Sequence, residues 1–344
     1  MSRNKSRGVA LIGFGAMGVT RAAALKKCKN ARFTGCAETS HERRECFAAA
    51  YPETRCIADY RALLEDPGID VVCVCAPFYK HRDIVVNCLE AGKHVIVENP
   101  VAGSVADSNT MISASQRTDK RFFVAHSNRF DPKLARIREL IRSDAIGTVF
   151  MGMASYIGND FDRMNDPADW MGSSLSGGGV FVEACTRIID SLRSFLGDAV
   201  WVSAAGWQGA VKLPNKGEDS AAAQLGFVSG AVVQMAATSS ARWNDFPSNY
   251  SSSGIRYDFY GDRGSLHFST GEPVVVINPE GRHVYRYPDG RRDIARDEIE
   301  HFLECIENGL RPIVTAHDAR EALRIVEAAH ASMKTGARVP IAAG

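Results

Sequence analysis

Gly8-Val9-Ala10-Leu11-Ile12-Gly13-Phe14-Gly15-Ala16-Met17-Gly18 is the stretch that decides the fold. A short apolar run ends in Gly-x-Gly-x-x-Gly and opens directly into an alanine-rich helical pattern over 16–28. The glycine pattern alone is a weak signal, and the strand before it and the helix after it make it specific. The first glycine permits the tight turn, the second lets backbone amides approach a pyrophosphate, and the third allows close helix–strand packing. The unpaired N–H groups of the helix N-terminus then face the phosphates. Gly13, Phe14, Gly15, Ala16, Met17 and Gly18 are therefore the candidate dinucleotide loop.

The same grammar repeats downstream. Strands are predicted over 8–12, 32–37, 71–75, 94–98 and 122–125, separated by helical patterns over 16–28, 42–51, 60–65, 82–91 and 105–117. Short apolar strands alternating with helices mean a parallel sheet covered on both faces. Right-handed crossovers make it a doubly wound Rossmann-type α/β domain. Glu38 closes the second strand about twenty residues beyond the loop, where a carboxylate hydrogen-bonds the ribose 2′-OH of NAD. It also repels a 2′-phosphate, which favours NAD; Arg43 offsets part of that repulsion and leaves NADP open. Strand C-termini line the cofactor crevice in this fold, so Ala76 and Pro77 are expected beside the nicotinamide ribose. His81 either contacts the cofactor or begins its helix with a structural hydrogen bond.

From about Asp131 the pattern changes. A helix over 132–142 leads into strands over 148–157, 200–206, 221–227, 231–238, 256–260 and 273–277, with helices over 177–196, 294–308 and 316–334. Such a run of strands with segregated helices predicts an α+β domain with a large, mainly antiparallel sheet. Ser229-Gly230 reads as a two-residue hairpin turn. The boundary is set so that 1–126 form the dinucleotide domain and 127–344 the substrate and oligomerisation domain. Long polar stretches over 158–175 and 239–254 carry Trp170, Trp243 and Tyr250, and loops of that length are functional or disordered.

Composition excludes several classes. The 344 residues carry a formal net charge of +1, which gives no electrostatic case for nucleic acid or membrane. No apolar stretch reaches membrane-span length, and the basic start has no signal-like apolar region behind it. The nine cysteines form no Cys-x-x-Cys pair, so a reduced, cytoplasmic protein with no metal site is expected.

The chain resembles the Gfo/Idh/MocA oxidoreductase family. The likeness rests on the glycine loop, the Ala76-Pro77 to His81 segment, Ala91-Gly92-Lys93-His94-Val95-Ile96-Val97-Glu98-Asn99-Pro100 and Asn128-Arg129-Phe130-Asp131-Pro132. It continues through Trp170, the block Gly177-Gly178-Gly179-Val180-Phe181-Val182-Glu183-Ala184-Cys185-Thr186-Arg187-Ile188-Ile189-Asp190, and Tyr260-Gly261-Asp262-Arg263-Gly264-Ser265-Leu266. The resemblance implies a Rossmann domain followed by an open-faced sheet domain, an active site in the cleft between them, and pairing of the sheets into homodimers or homotetramers. It also implies Glu98 at the cofactor and oxidation or reduction of a carbinol carbon in a sugar, cyclitol or related polyol.

Three positions depart from the family pattern. Its Lys, Asp and His correspond to Asn99, Glu183 and Arg187 here. Asn99 hydrogen-bonds a hydroxyl but takes no proton at neutral pH. Arg187 stays protonated, which makes it a poor base and a good bidentate grip for a carboxylate or phosphate. Glu183 and Arg187 are read either as a plain i,i+4 ion pair on one helix or as a functional pair, with Glu183 as base or as the orienter of Arg187. His126 is the candidate replacement acid/base, against a strand-end histidine held by backbone groups. Tyr156 and Trp170 are candidate substrate contacts. The expected function is NAD(P)-dependent oxidation or reduction of a sugar-, cyclitol- or hydroxy-acid-like molecule, possible anionic groups included. Two rivals stay open: a lyase or glycosidase using transient oxidation without net redox change, and a non-catalytic dinucleotide-binding regulator.

Overall fold

The computed structural model describes residues 6–166, 179–209, 217–241, 253–287 and 293–342. The chain falls into two compact units, Met1–Phe130 with Arg291–Arg320, and Asp131–Gly290 with Glu321–Gly344. Trp170, Trp243, Tyr250, Gly177 and Gly178 lie outside the described residues.

The first unit begins with β1 (Arg7–Ile12), α1 (Ala16–Leu25), β2 (Ala31–Ala37), α2 (His41–Ala50), β3 (Arg55–Ile57) and α3 (Arg61–Leu64). It continues with β4 (Val71–Val74), α4 (His81–Glu90), β5 (His94–Val97), α5 (Val105–Arg117) and β6 (Phe122–Val124). The strands form a six-stranded parallel sheet in the order β3-β2-β1-β4-β5-β6. Val9, Leu11, Val71, Cys73 and Ile96 are all but inaccessible, as central strands covered on both faces require. Ser40 and Ser104 cap α2 and α5, each side chain accepting a backbone N–H of the first turn. The short β3 was not foreseen from sequence, because three residues (Arg-Cys-Ile) carry no periodic signal. All nine cysteines are free.

The second unit opens with α6 (Pro132–Arg142), where Asp131 accepts the Lys133 N–H and Pro132 takes the first helical position. There follow β7 (Val149–Gly158), α7 (Phe161–Asn165), α8 (Thr186–Leu196), β8 (Ala199–Trp207), β9 (Ser220–Phe227) and β10 (Val232–Thr238). Then come β11 (Ser253–Gly261), β12 (Gly264–Ser269), β13 (Val274–Asn278) and β14 (Gly281–Tyr285). The helix α9 (Ile294–Asn308) belongs to the first unit. The helix α10 (Ala316–Thr335) starts there too, and from Glu321 onward it belongs to the second unit, with β15 (Val339–Pro340).

The second unit's sheet has nine strands in the order β14-β13-β12-β11-β7-β10-β9-β8-β15. Its described pairings are antiparallel except for the parallel pair β7–β10. One face is covered by α8, whose Phe195 ring stands edge-on to Tyr257 and Phe259 of β11 at 5.7 and 5.8 Å. The hairpin between β9 and β10 corrects one expectation. Phe227 and Ala231 still pair, so the loop is Val228-Ser229-Gly230, three residues, with Gly230 at φ 87. A three-residue loop ends in a left-handed position that glycine fills without strain. Strands β12, β14 and β15 were also unforeseen, being too short to carry a clear alternating pattern.

Candidate active site

In the parallel sheet, Gly13, Glu38, Ala76, Glu98 and His126 all follow strand C-termini. Gly13 has φ 94, and a Cβ there would come within 2.8 Å of the Cys75 carbonyl oxygen and 3.0 Å of the Ala76 nitrogen. A Cβ on Gly18 would collide with the Gly13 carbonyl, whereas one on Gly15 would meet nothing nearer than Arg43 Nη1 at 3.8 Å. The loop is therefore packed tight at its first and third glycines and open at its second, where a pyrophosphate needs backbone access. The helix α1 has no side-chain cap on Gly15 and no acidic residue in its first turn. Its positive end is left for an anion, and the loop fits a dinucleotide.

Phe14 serves the loop from below. Its ring packs edge-on against Phe47 at 4.9 Å and Tyr51 at 6.1 Å, while its N–H donates to Glu38 Oε2 at 2.7 Å. Glu38 Oε1 accepts the Ser40 N–H at 2.8 Å, so the carboxylate is fixed by backbone donors on both sides. Met17 is exposed at the helix start. Arg44 donates to the Glu38 and Thr39 carbonyls, leaving Arg43 as the arginine beside Gly15.

His81 is buried with Nε2 2.7 Å from the Ala76 carbonyl oxygen and Nδ1 3.2 Å from that of Val101. Burial pushes its pKa down against the pull of those carbonyls, so the ring is neutral at neutral pH. A neutral ring has one N–H to donate, and the shorter contact, from Nε2 to the Ala76 carbonyl, is the hydrogen bond that holds the Ala76-Pro77 turn. Sequence alone left this histidine's role undecided.

Behind the loop lies a buried ionic group that sequence reading missed. Arg21 of α1 donates from Nε to Glu98 Oε1 at 2.5 Å and from Nη2 to Glu298 Oε2 of α9 at 2.6 Å. Its pKa is held well above the ordinary value; burial is the largest influence and opposes this, but is outweighed by Glu298 and Glu98. Glu298 is pushed up, burial outweighing the attraction of Arg21. The one available signal was an arginine on the apolar stripe Gly18, Ala22, Leu25 of α1. Glu98, expected at the cofactor, thus points one oxygen into this group. The next residue, half-buried Asn99, places Nδ2 3.1 Å from Nδ1 and 3.0 Å from Nε2 of the buried His126.

In the second unit Gly179, at φ 60, lies so close to Glu218 that a Cβ would sit 2.6 Å from its backbone N and O. Glu218 accepts the Val180 N–H on its carbonyl at 2.7 Å and the Phe181 N–H on Oε1 at 2.9 Å. This docks the glycine block and starts the segment bearing Glu183 and Arg187. The helix expected over 177–196 is not α throughout: Phe181–Cys185 form a π turn, and α8 starts at Thr186. The wider turn changes the angular spacing of Glu183 and Arg187 from that of an i,i+4 pair on an α-helix. Such turns recur at functional sites. Tyr156 of β7 is buried, and burial pushes its hydroxyl pKa up while nearby Arg187 pulls it down. Arg187 itself is exposed. Among the described residues no group of three or more His, Cys, Asp or Glu is placed to hold a metal.

Residues 7–126 match the Gfo/Idh/MocA oxidoreductase family's NAD-binding Rossmann fold, and residues 138–341 match its C-terminal alpha/beta domain. The chain belongs to the Gfo/Idh/MocA oxidoreductases. As a member it is an NAD(P)-dependent oxidoreductase, and its first unit is the NAD-binding domain. It is 25% identical over 334 residues to myo-inositol 2-dehydrogenase of Thermotoga maritima, covering 95% of this chain and 96% of that one. It is 28% identical over 288 residues to scyllo-inositol 2-dehydrogenase (NAD(+)) of Bacillus subtilis, covering 81% and 80%. Its fold is shared with an oxidoreductase from Agrobacterium radiobacter solved in complex with NAD+, L-tartaric acid and magnesium, at TM-score 0.84 and 21% identity over 98% and 99% of the chains. No helix among the described residues is long and apolar enough to cross a membrane.

Proposed function

We propose that this Gfo/Idh/MocA oxidoreductase is an NAD-dependent dehydrogenase of a small sugar, cyclitol or hydroxy acid that carries an acidic group. In this reading Asn99 and His126 handle the hydroxyl proton, and Arg187 grips the acid. Bound NAD supplies hydride exchange at the carbinol carbon, so the chain itself must orient the hydroxyl and move one proton. The observation that carries the reading is the contact between the Asn99 amide and the His126 ring. It places an amide that can hold a substrate hydroxyl beside a ring that can take its proton, the Asn99 Nδ2 lying 3.1 and 3.0 Å from the two nitrogens of His126. Asn99 is the more exposed of the two and meets the hydroxyl. Glu183, four residues before Arg187, is the carboxylate that serves as base or orients it.

The acidic substituent is supported by the exposed guanidinium of Arg187, whose charge is felt by Tyr156. L-tartaric acid, bound in the Agrobacterium radiobacter structure, is a hydroxy acid of the expected kind. The reading extends to assembly. Val232, Met151, Tyr260, Ser265 and Ile277 are successive cross-strand partners along one row of the sheet, and Val232, Met151 and Ile277 are exposed. That apolar row supports a homodimer or homotetramer built through the sheet.

The test compares acidic and neutral polyols, tartrate, gluconate and myo-inositol among them. Arg187→Gln should lower kcat/KM on the acidic substrate by about 1–3 kcal/mol and leave neutral polyols unchanged. His126→Gln should lower kcat by roughly 10²–10⁴-fold with NAD affinity kept, and Asn99→Ala should lower it less. Equal loss on acidic and neutral substrates in Arg187→Gln would remove the acid grip. A His126→Gln enzyme within about threefold of wild-type kcat would remove the proton role.

A further inference from the structure

A cavity of about 340 Å³ opens in the first unit, and none of the residues assigned above lines it. Its walls are the last turns of α5, the start of β6 and the segment between α9 and α10. Arg121 stands just before β6, at the N-terminal edge of the parallel sheet, whereas the dinucleotide loop, Glu38, Ala76 and Asn99 follow strand C-termini at the opposite edge. The volume is that of a small-molecule site, on the order of 300–1,000 Å³.

The lining has a definite chemistry. Ile112, Phe122 and Phe123 are among its apolar lining and Arg121, Arg311 and His317 among its polar lining, and no carboxylate lines the cavity. Among the described residues neither arginine forms an ion pair. Two uncompensated guanidiniums facing one apolar hollow favour an anion with an apolar body. The walls are also pre-organised. Arg121 Nη2 donates to the Leu310 carbonyl, His301 Nε2 accepts the Ile313 N–H at 3.0 Å, and Asp318 accepts from both Thr315 N and Oγ1 at 2.9 and 2.6 Å. Gly309, at φ 65, lets α9 end and the segment turn back. A segment tied at these points loses little freedom when a ligand arrives.

We infer that this cavity is a second small-molecule site, specific for a carboxylate or phosphate carried on a small apolar body. Arg311 and Arg121 hold the anionic head, and Ile112 and the phenylalanines hold the body. The site shares no residue with the dinucleotide loop or with the proposed substrate contacts, so its occupant is neither cofactor nor the proposed substrate.

Phenyl phosphate, benzoate and inorganic phosphate are titrated calorimetrically into the Arg187→Gln protein saturated with NAD, so that neither the pyrophosphate site nor Arg187 competes. Phenyl phosphate or benzoate should bind with a Kd below about 1 mM, and inorganic phosphate more weakly, since it lacks the apolar body. Arg311 is exposed and its side chain has no hydrogen bond or ion pair among the described residues, so Arg311→Gln is the variant least disturbing to the unit. It should weaken the tighter organic anion about tenfold or more and leave NAD affinity unchanged. The inference is overturned if neither organic anion binds at about 10 mM, if inorganic phosphate binds as tightly as phenyl phosphate, or if Arg311→Gln leaves the affinity where it was.

Discussion

Arg21→Met tests whether the buried ionic group holds the first unit together. The side chains of Arg21 and Glu298 are 1% and 0% exposed and that of Glu98 is 11%, so solvent screening gives little relief. Removing the cation leaves two carboxylates buried without their partner, a change that typically costs about 3–5 kcal/mol. For a unit of this size that is a drop in Tm of roughly 6–20 °C. The deficit should depend on pH with a definite sign. Burial already pushes the Glu298 carboxyl up, with Arg21 the chief opposing influence. Without Arg21 the folded variant binds that proton more readily than its unfolded chain does. Stability of the variant therefore falls as pH rises from the ordinary carboxylate range toward the raised folded value, and recovers as pH drops. Urea unfolding at about pH 7 and about pH 5 should show the gap from wild type shrinking in acid. Adding Glu98→Gln and Glu298→Leu to Arg21→Met should restore most of the loss, because a neutral cluster has no charge to desolvate. A deficit under about 1 kcal/mol, the scale of a surface pair, or one that ignores pH, would refute the reasoning.

Glu38→Ala removes the acceptor of the Phe14 and Ser40 N–H groups and should weaken NAD binding by about 1–3 kcal/mol while sparing NADP. Fluorescence titration of the two nucleotides checks it, and equal losses would count against the ribose contact. Gly179→Ala places a Cβ against the Glu218 backbone at a left-handed φ and should destabilise the second unit by about 1–3 kcal/mol, read as a lower urea midpoint. An unchanged midpoint would mean that the glycine block tolerates a side chain. Met151→Glu puts a charge in the apolar row of the open sheet and should shift the sedimenting species to a smaller one. Wild-type sedimentation as a monomer would end the assembly proposal outright.

The Rossmann half was legible because each signal there is local. Gly13 to Gly18 fall between a strand and a helix, and α9 follows from a fifteen-residue amphipathic run ending at Gly309, just as Asp131-Pro132 marks the start of α6 in the second unit. Arg21 and Glu298 were not legible as a pair, since they meet across 277 residues and neither carries a motif. Glu218 escaped for the same reason, because its contact with the glycine block depends on how the sheet folds back. The π turn was invisible because Phe181–Cys185 has the composition of any buried helix. Asn99 and His126 were each singled out, but their contact depends on β5 and β6 being neighbours in register.

The helix α9 also bears on the order in which the chain can mature. Glu298 is made 277 residues after Arg21, so at about 5–20 residues per second a ribosome reaches it roughly 14–55 s later. Through that interval Arg21 has only Glu98, and the apolar side of α1 that Phe302 and Leu303 would join stays uncovered. The nucleotide-binding unit is thus finished late in synthesis, after eight of the nine strands of the second sheet have been made. A fragment ending near residue 130 carries every motif of that unit and lacks part of its core. It should collect in aggregates or on chaperones instead of accumulating as a free nucleotide-binding domain.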